Sequence, residues 1–231
     1  MFSGIRVVLF DLDGTLIDSK DDLAKAANLT LADLGLPSLP PAQIHRFIGN
    51  GTRVLVQRTL AAARERDGRG DPAALCPEDV DGALAIFRRH YREHCLDQTR
   101  LYPGAGRTLA GLRDAGVHRA VVTNKDGELS RTILAGLGVL DLVEVLLGPE
   151  DVIHRKPHPE PVFRALDAFG ARPSEALLVG DSPVDAETAR AAGVPLCAVT
   201  YGYGLDNPEA LARAGAAAVL DRLDDLLDLL R

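Results

Sequence analysis

Several features are scarce in this sequence of 231 residues, and each absence excludes a class of protein. No apolar run is long enough to cross a bilayer, and the first one is short and ends in aspartate, unlike a signal peptide. Cys76, Cys95 and Cys197 lie far apart without CxxC spacing, which favours thiols in a reducing compartment. The net charge is −7 and no basic stretch carries aromatic residues, which argues against nucleic acid. We expect a soluble cytoplasmic protein, of unknown oligomeric state, without membrane or nucleic-acid partners.

The apolar content is sufficient for a folded core. Hydrophobic residues make up 46% of the chain, so an intrinsically disordered protein is excluded. The length of 231 residues predicts one domain, or one domain with a sizeable insertion.

The stretch "VVLFDLDGT", residues 7–15, places two carboxylates at the end of an apolar run. Residues 5–10 show no alternation, which predicts a strand of a parallel sheet buried on both faces. Asp11 and Asp13 are two residues apart, so on extended backbone their side chains leave on the same side. Carboxylates held this close repel one another unless a cation or a shared proton separates them. An ordinary Asp-Gly turn explains Asp13 and Gly14 but leaves Asp11 unexplained.

The pattern after this strand divides the chain into a helical part and an alternating part. Helices are predicted over Asp18–Gly35, Thr52–Arg66 and Glu78–Cys95, with an exposed loop over Asp67–Pro77. From residue 102 onward short apolar runs alternate with helices. The predicted strands of this part are residues 119–123, 143–147, 176–181, 195–200 and 216–220.

This alternation predicts an α/β fold with a doubly wound, Rossmann-like parallel sheet. The first strand has to join that sheet, because nothing in the helical part offers it a partner. We therefore predict an α/β core made of residues 1–16 and 98–231. Residues 17–97 are predicted to form an all-helical cap inserted after the first strand.

Functional side chains are expected beyond the carboxyl ends of the strands, where open parallel sheets form their sites. The candidates in chain order are Asp11 and Asp13, Thr123 and Asn124, Lys156 within "HRKPHPEP", Asp181, and Asp185 in the following turn. A cluster of carboxylates favours a hard divalent cation such as Mg²⁺. A metal, a lysine, a hydroxyl and a spare carboxylate together are typical of phosphoryl transfer.

The segments "DLDGT", "VVTN", the lysine of "RKPHPEP" and "GDSPVD" resemble, in this order, the four motifs of the haloacid dehalogenase-like superfamily. The resemblance implies that Asp11 is the nucleophile and Asp13 the general acid and base. It implies that Mg²⁺ is bound by Asp11, Asp181 and the backbone carbonyl of Asp13. Thr123 and Lys156 would hold the phosphoryl group.

Further segments, among them "FIGNGTRVLV", "VTNK" and "TYGYG", resemble the phosphoglycolate phosphatase branch of that superfamily. This implies a Mg²⁺-dependent phosphomonoesterase with an aspartyl-phosphate intermediate and 2-phosphoglycolate as the expected substrate. Arg53 lies in the first turn of a predicted helix whose N-terminus suits an anion, and is a candidate for binding the substrate carboxylate. Asn124, beside Thr123, is expected to contact phosphate, although a turn role fits it too.

Some candidates have two interpretations that the sequence leaves open. Asp185 fits a capping box with Ser182 as well as a place next to the metal ligands. His154 and His158 flank Lys156 and are expected to be solvated loop residues.

His90 and His94 have a spacing that can bind zinc, but no third ligand is evident, so a solvated helix face is expected.

Other functions share parts of this pattern. A dehalogenase uses the same nucleophile on carbon but has no leaving alkoxide for Asp13 to protonate. A sugar phosphomutase shares Asp11 and Asp13 but transfers the phosphoryl group. A receiver-type signalling module carries its phosphorylated aspartate after a middle strand and lacks a helical cap. The position of Asp11 after the first strand argues against such a module.

Overall fold

The computed structural model describes residues 2–68, 75–204, 210 and 213–230. The chain divides into two compact units. One is formed by Met1–Asp18 with Arg100–Arg231, and the other by Ser19–Thr99. Of the loop predicted over Asp67–Pro77, residues 69–74 lie outside the described part of the chain.

The strands in chain order are β1 (Val7–Phe10), β2 (Ile17–Asp18), β3 (Arg100–Leu101), β4 (His118–Val122), β5 (Val145–Leu147), β6 (Ala176–Gly180), β7 (Leu196–Val199) and β8 (Ala218–Leu220). The α-helices are α1 (Lys20–Asp33), α2 (Pro41–His45), α3 (Thr52–Asp67), α4 (Pro77–His94), α5 (Ala105–Asp114), α6 (Gly127–Gly136), α7 (Glu160–Ala168), α8 (Pro183–Ala192) and α9 (Leu226–Leu229). Short 3₁₀ turns cover Leu140–Leu142, Pro149–Asp151, Pro173–Glu175 and Leu223–Asp225.

The first unit is built on a six-stranded sheet in the order β5-β4-β1-β6-β7-β8. Every neighbouring pair in it is parallel. β1 lies between β4 and β6, with Val7 opposite both His118 and Ala176. All four residues of β1 are fully buried, which explains why the sequence shows an unbroken apolar run there. The predicted parallel α/β sheet is therefore confirmed.

One face of the sheet is covered by α7 and α8. Side chains from these helices join the sheet in one buried cluster, which includes Leu9, Leu178, Val162, Ala165 and Ala189. Both helices contribute alanines to this cluster, and such small side chains allow a helix to pack closely on a sheet.

The sequence pattern did not predict the short antiparallel pair of β2 and β3. Ile17 lies opposite Leu101 and Asp18 opposite Arg100, and the same two residues form an ion pair at 3.1 Å. Two-residue strands carry no readable periodicity, so only the tertiary pairing identifies them.

The second unit consists of helices α1 to α4. In α4 the buried residues Val80, Ala83, Leu84, Phe87 and Tyr91 recur at helical spacing along one stripe. Pro77 occupies the first position of this helix, where its missing N–H costs nothing. None of the helices in the described part of the chain is both long and apolar enough to span a membrane.

A buried carboxylate closes the second unit. Asp22 in α1 accepts hydrogen bonds from the backbone N–H groups of Gln98 and Thr99 and from the Thr99 hydroxyl, at 2.7 to 3.0 Å. These donors compensate a charge that is fully buried. Asp22 therefore fixes the end of the unit to its first helix.

Candidate active site

The candidate site lies at the carboxyl ends of three adjacent strands. Asp11 follows β1, Thr123 follows β4 and Asp181 follows β6. Because β1 pairs in parallel with both β4 and β6, the three strand ends meet at one edge of the sheet.

Lys156 bridges two of the candidate carboxylates. Its Nζ donates to Asp11 Oδ1 at 2.8 Å and to Asp185 Oδ1 at 2.7 Å. The lysine is 3% exposed. Burial by itself would lower the pKa of Lys156, but the charges of Asp11 and Asp185 outweigh it and hold this pKa above its ordinary value. The ammonium is therefore charged at neutral pH.

The site holds more carboxylates than the Lys156 ammonium can neutralise. Asp11, Asp181 and Asp185 are buried, and each offers an oxygen within 4.8 Å of the others. Burial raises the pKa of Asp11 to about 7, with Lys156 opposing the rise and Asp185 adding to it. Burial and the charges of Asp185 and Asp11 likewise raise the pKa of Asp181 well above its ordinary value. The cluster thus fits a hard divalent cation, whose charge favours the ionised carboxylates.

Asp181 is held in place through both of its oxygens. Oδ1 accepts from the hydroxyl of Thr15 at 3.0 Å, and Oδ2 accepts from the backbone N–H of Tyr203 at 2.6 Å. Gly14 and Gly202 approach it closely, since an added Cβ would lie 2.3 Å from Asp181 Oδ2 at Gly14 and 2.1 Å from Asp181 Cβ at Gly202. Sequence reasoning assigned no role to Thr15 or Tyr203, although both lie in the quoted motifs "DLDGT" and "TYGYG".

Asp185 combines the two interpretations that the sequence left open. Ser182 and Asp185 form the expected capping box at the start of α8. Asp185 Oδ2 accepts from Ser182 N at 3.1 Å and from Ser182 Oγ at 2.6 Å, while Oδ1 accepts from Lys156. Asp185 therefore caps α8 through one oxygen and holds Lys156 through the other.

Asp13 has a cation of its own. Lys125 Nζ donates to Asp13 Oδ1 at 2.9 Å and to Oδ2 at 3.1 Å. Lys125 is therefore a second lysine at the site, which the sequence motifs did not single out. Lys125 stands in the quoted segment "VTNK", but nothing in one sequence shows that its long side chain turns towards a residue more than a hundred positions away.

Thr123 and Asn124 organise the turn after β4. Thr123 is 6% exposed, and its hydroxyl accepts from the backbone N–H of Lys125 at 3.1 Å. Asn124 Nδ2 donates to the carbonyl of Lys156 at 3.0 Å, which ties the turn after β4 to the loop that carries the lysine. The expected phosphate contacts of Thr123 and Asn124 stay predictions.

Arg53 belongs to the second unit. It is the second residue of α3, and its guanidinium forms an ion pair with Asp81 in α4. Its expected contact with a substrate carboxylate stays a prediction.

The histidines around Lys156 take part in a local hydrogen-bond network. Glu160 accepts from the backbone N–H groups of Ile153 and His154 at 2.9 Å each, and from His154 Nδ1 at 3.1 Å. The N–H of Ile153 contributes most to lowering the pKa of Glu160 to about 2. The rings of His154 and His158 lie 4.5 Å apart, and both residues are exposed. Together with Glu160 they offer three possible metal-ligand atoms, but these already pair within the loop, which favours a loop-shaping role.

The other histidine pair does not converge on one point. His90 Nε2 lies 2.9 Å from Asp33, whereas His94 Nδ1 lies 2.9 Å from Asp97. Each ring therefore has a different carboxylate partner, which does not favour a shared zinc site. The side chains of His90 and His94 are 13% and 30% exposed, so they are partly buried and do not form the solvated face that was expected.

This chain is similar to known proteins over nearly its whole length. The family model described as haloacid dehalogenase-like hydrolase matches residues 8–199. A protein named phosphoglycolate phosphatase, plasmid, from Cupriavidus necator is 41% identical over 224 residues, which cover 96% of this chain and 92% of the relative. A phosphoglycolate phosphatase from Rhodospirillum rubrum is 40% identical, with 96% of this chain and 90% of the relative covered.

The fold has a counterpart among solved structures. A predicted phosphoglycolate phosphatase from Haemophilus somnus aligns with a TM-score of 0.89 and 33% identity, covering 98% of each chain. The parallel sheet, the acidic cluster at its edge and the extent of these matches lead to one conclusion: this chain belongs to the haloacid dehalogenase-like hydrolases.

Proposed function

We propose that this chain is a phosphoglycolate phosphatase, a phosphomonoesterase that releases glycolate and phosphate from 2-phosphoglycolate. The observation that carries the proposal is the pairing of Asp11 with the buried Lys156 beside a cluster of carboxylates. That arrangement joins a nucleophile to a cation that can neutralise phosphoryl oxygens. The relatives named phosphoglycolate phosphatase support the choice of substrate.

Mg²⁺ fits the site because the site offers carboxylate oxygens, which are the ligands that this ion prefers. Burial disfavours the ionised forms of Asp11 and Asp181, and a bound cation would stabilise them. Asp11, Asp181 and the backbone carbonyl of Asp13 would hold the ion. When bound, Mg²⁺ supplies positive charge against the phosphoryl oxygens and the attacking carboxylate.

In the first half-reaction Asp11 attacks phosphorus in line with the leaving oxygen. A bond forms between a carboxylate oxygen of Asp11 and phosphorus while the ester P–O bond breaks, and Asp13 gives its proton to the leaving oxygen. Lys156 compensates the charge of the phosphoryl oxygens, and Thr123 with Asn124 orients them.

In the second half-reaction Asp13 acts as the base. It takes a proton from water, the water oxygen bonds to phosphorus, and the bond from phosphorus to Asp11 breaks. Free phosphate leaves, and both aspartates return to their starting states. Asp185 keeps Lys156 directed at the reacting group in both steps.

The division of labour between the two parts of the chain belongs to the same proposal. Residues 1–16 with 98–231 act as the catalytic core, and residues 17–97 act as a cap that excludes bulk water during the reaction. Arg53, near the N-terminus of α3, would bind the substrate carboxylate. The thiols of Cys76 and Cys197 are consistent with a cytoplasmic location.

A substrate panel tests this function. With Mg²⁺ present, kcat/KM for 2-phosphoglycolate should exceed that for glucose phosphates and nucleotides by about tenfold or more, a difference of about 1.4 kcal/mol. Ethyl phosphate is the matched control, because it is an alkyl ester of similar size without the carboxylate. A preference for hexose phosphates, or transfer of phosphate between sugar positions, would favour the mutase alternative instead.

A further inference from the structure

The contact between Lys125 and Asp13 brings a second lysine into the ion pairs of the site. The Lys125 ammonium reaches both carboxylate oxygens, at 2.9 and 3.1 Å. Its side chain is 4% exposed and that of Asp13 is 20% exposed. A buried lysine is stable only with a compensating partner, so this contact is part of the folded site and not a chance surface pair.

Each of the two proposed catalytic carboxylates forms an ion pair with a different lysine. Lys156 contacts Asp11, the proposed nucleophile, whereas Lys125 contacts Asp13, the proposed acid and base. The backbone N–H of Lys125 also donates to the hydroxyl of Thr123, which fixes the turn from which its side chain starts. Lys125 thus extends from the strand end that carries Thr123 to the one that carries the two aspartates.

We propose that Lys125 is a positioning residue for Asp13, an inference that rests on the proposed function. A carboxylate that transfers protons has to lie within hydrogen-bond reach of the leaving oxygen in one step and of water in the next. Bonds from one ammonium to both oxygens restrict rotation of the Asp13 side chain. Lys125 therefore acts on turnover through Asp13, without needing to contact the substrate.

The test compares Lys125→Met, which keeps the length but removes the charge, with Lys125→Arg, which keeps the charge. Single-turnover phosphorylation of Asp11 is measured with 2-phosphoglycolate and with p-nitrophenyl phosphate. The alkyl ester needs a proton on its leaving oxygen and the aryl ester does not. Lys125→Met should slow the alkyl ester about ten- to a hundredfold and the aryl ester much less, with KM nearly unchanged, and Lys125→Arg should recover part of the loss.

A double-mutant cycle isolates the coupling. If Lys125 acts through Asp13, then Asp13→Ala combined with Lys125→Met should be no slower than Asp13→Ala alone. Multiplicative losses, equal losses with both esters, or a weakened affinity for inorganic phosphate would each overturn the inference. If circular dichroism shows that Lys125→Met folds poorly, the phosphorylation rates of Lys125→Arg with the two esters, and its affinity for inorganic phosphate, decide. A parent enzyme inactive on both esters would instead refute the proposed function itself.

Discussion

The hydroxyl of Thr15 donates a hydrogen bond of 3.0 Å to Asp181, which lies 166 positions later in the chain. The contact connects the turn after β1 to the turn after β6, and the backbone N–H of Tyr203 takes the other oxygen of the same carboxylate. Hydrogen bonds of this kind fix the direction in which a carboxylate presents its remaining lone pairs to a cation. The orientation of Asp181 therefore depends on the Thr15 hydroxyl and the Tyr203 backbone, and neither residue is a proposed metal ligand.

Replacing Thr15 by valine should weaken metal binding. The change keeps the shape but removes the hydroxyl, so Asp181 loses one of its two orienting bonds. We expect the Mg²⁺ concentration for half-maximal activity to rise about tenfold or more, as for other residues that orient metal ligands. Thr15→Ser retains the hydroxyl and is the control, which should stay near the parent. An unchanged Mg²⁺ requirement in Thr15→Val would contradict this role.

Replacing Asp11 by asparagine should abolish turnover without unfolding the protein. The amide is not a nucleophile, and it removes a buried charge that repels Asp181 and Asp185. Turnover and thermal unfolding are measured on the same preparation. Turnover above a few per cent of the parent's, with contamination excluded, would contradict the covalent mechanism.

Replacing Lys156 by alanine should cost about a hundredfold or more in turnover and also weaken substrate binding. The ammonium compensates Asp11 and Asp185, so its removal leaves two buried carboxylates facing one another. Steady-state kinetics with 2-phosphoglycolate measure both effects. Near-normal kinetics would mean that this lysine only shapes its loop.

Asp13→Ala should affect the two half-reactions differently. Phosphorylation by an alkyl ester should be crippled, whereas an aryl ester, whose phenolate departs unaided, should suffer less. Hydrolysis of the phosphoenzyme should be slow with both. Rapid mixing with p-nitrophenyl phosphate should therefore give a burst of phenolate and leave phosphate on Asp11.

Equal losses with both esters would remove the acid role of Asp13. It would then serve the site only through its backbone carbonyl.

Gly202→Ala should disturb the metal site through sterics. The added Cβ would lie 2.1 Å from the Cβ of Asp181, so either the "TYGYG" turn or the carboxylate has to move. We expect a large loss of activity and a raised Mg²⁺ requirement. Gly82→Ala is the matched control, because Gly82 lies inside α4 with nothing within 4 Å.

This control should keep full activity and gain up to about 1 kcal/mol of stability from helix propensity. Equal behaviour of the two variants would show that the close approach at Gly202 is unimportant.

The parallel sheet could be predicted from the sequence because its strands are buried on both faces and read as apolar runs. The short helix α2, Pro41–His45, and the pair of β2 and β3 were not predicted, because elements of two to five residues show no periodicity. Asp11, Thr123 and Asp181 were found by their positions after strands, which requires no knowledge of side-chain directions.

The contacts between site residues needed the structure. Lys125 is adjacent to predicted residues in sequence, yet its partner Asp13 follows another strand. Asn124 was expected to meet phosphate, and the structure gives it the carbonyl of Lys156 as a partner. Long side chains and amides have several reachable partners, and only tertiary packing selects among them.

The central place of β1 in the sheet has a consequence for synthesis of the chain. Both partners of β1, beginning at His118 and Ala176, follow the whole helical unit in sequence. On the ribosome, the apolar segment Val7–Phe10 therefore emerges long before any strand can pair with it. Unpaired apolar strands are the segments that aggregate and that chaperones bind. Because of the insertion after the first strand, we expect Val7–Phe10 of the nascent chain to stay exposed to aggregation and to chaperones until its partner strands have been synthesised.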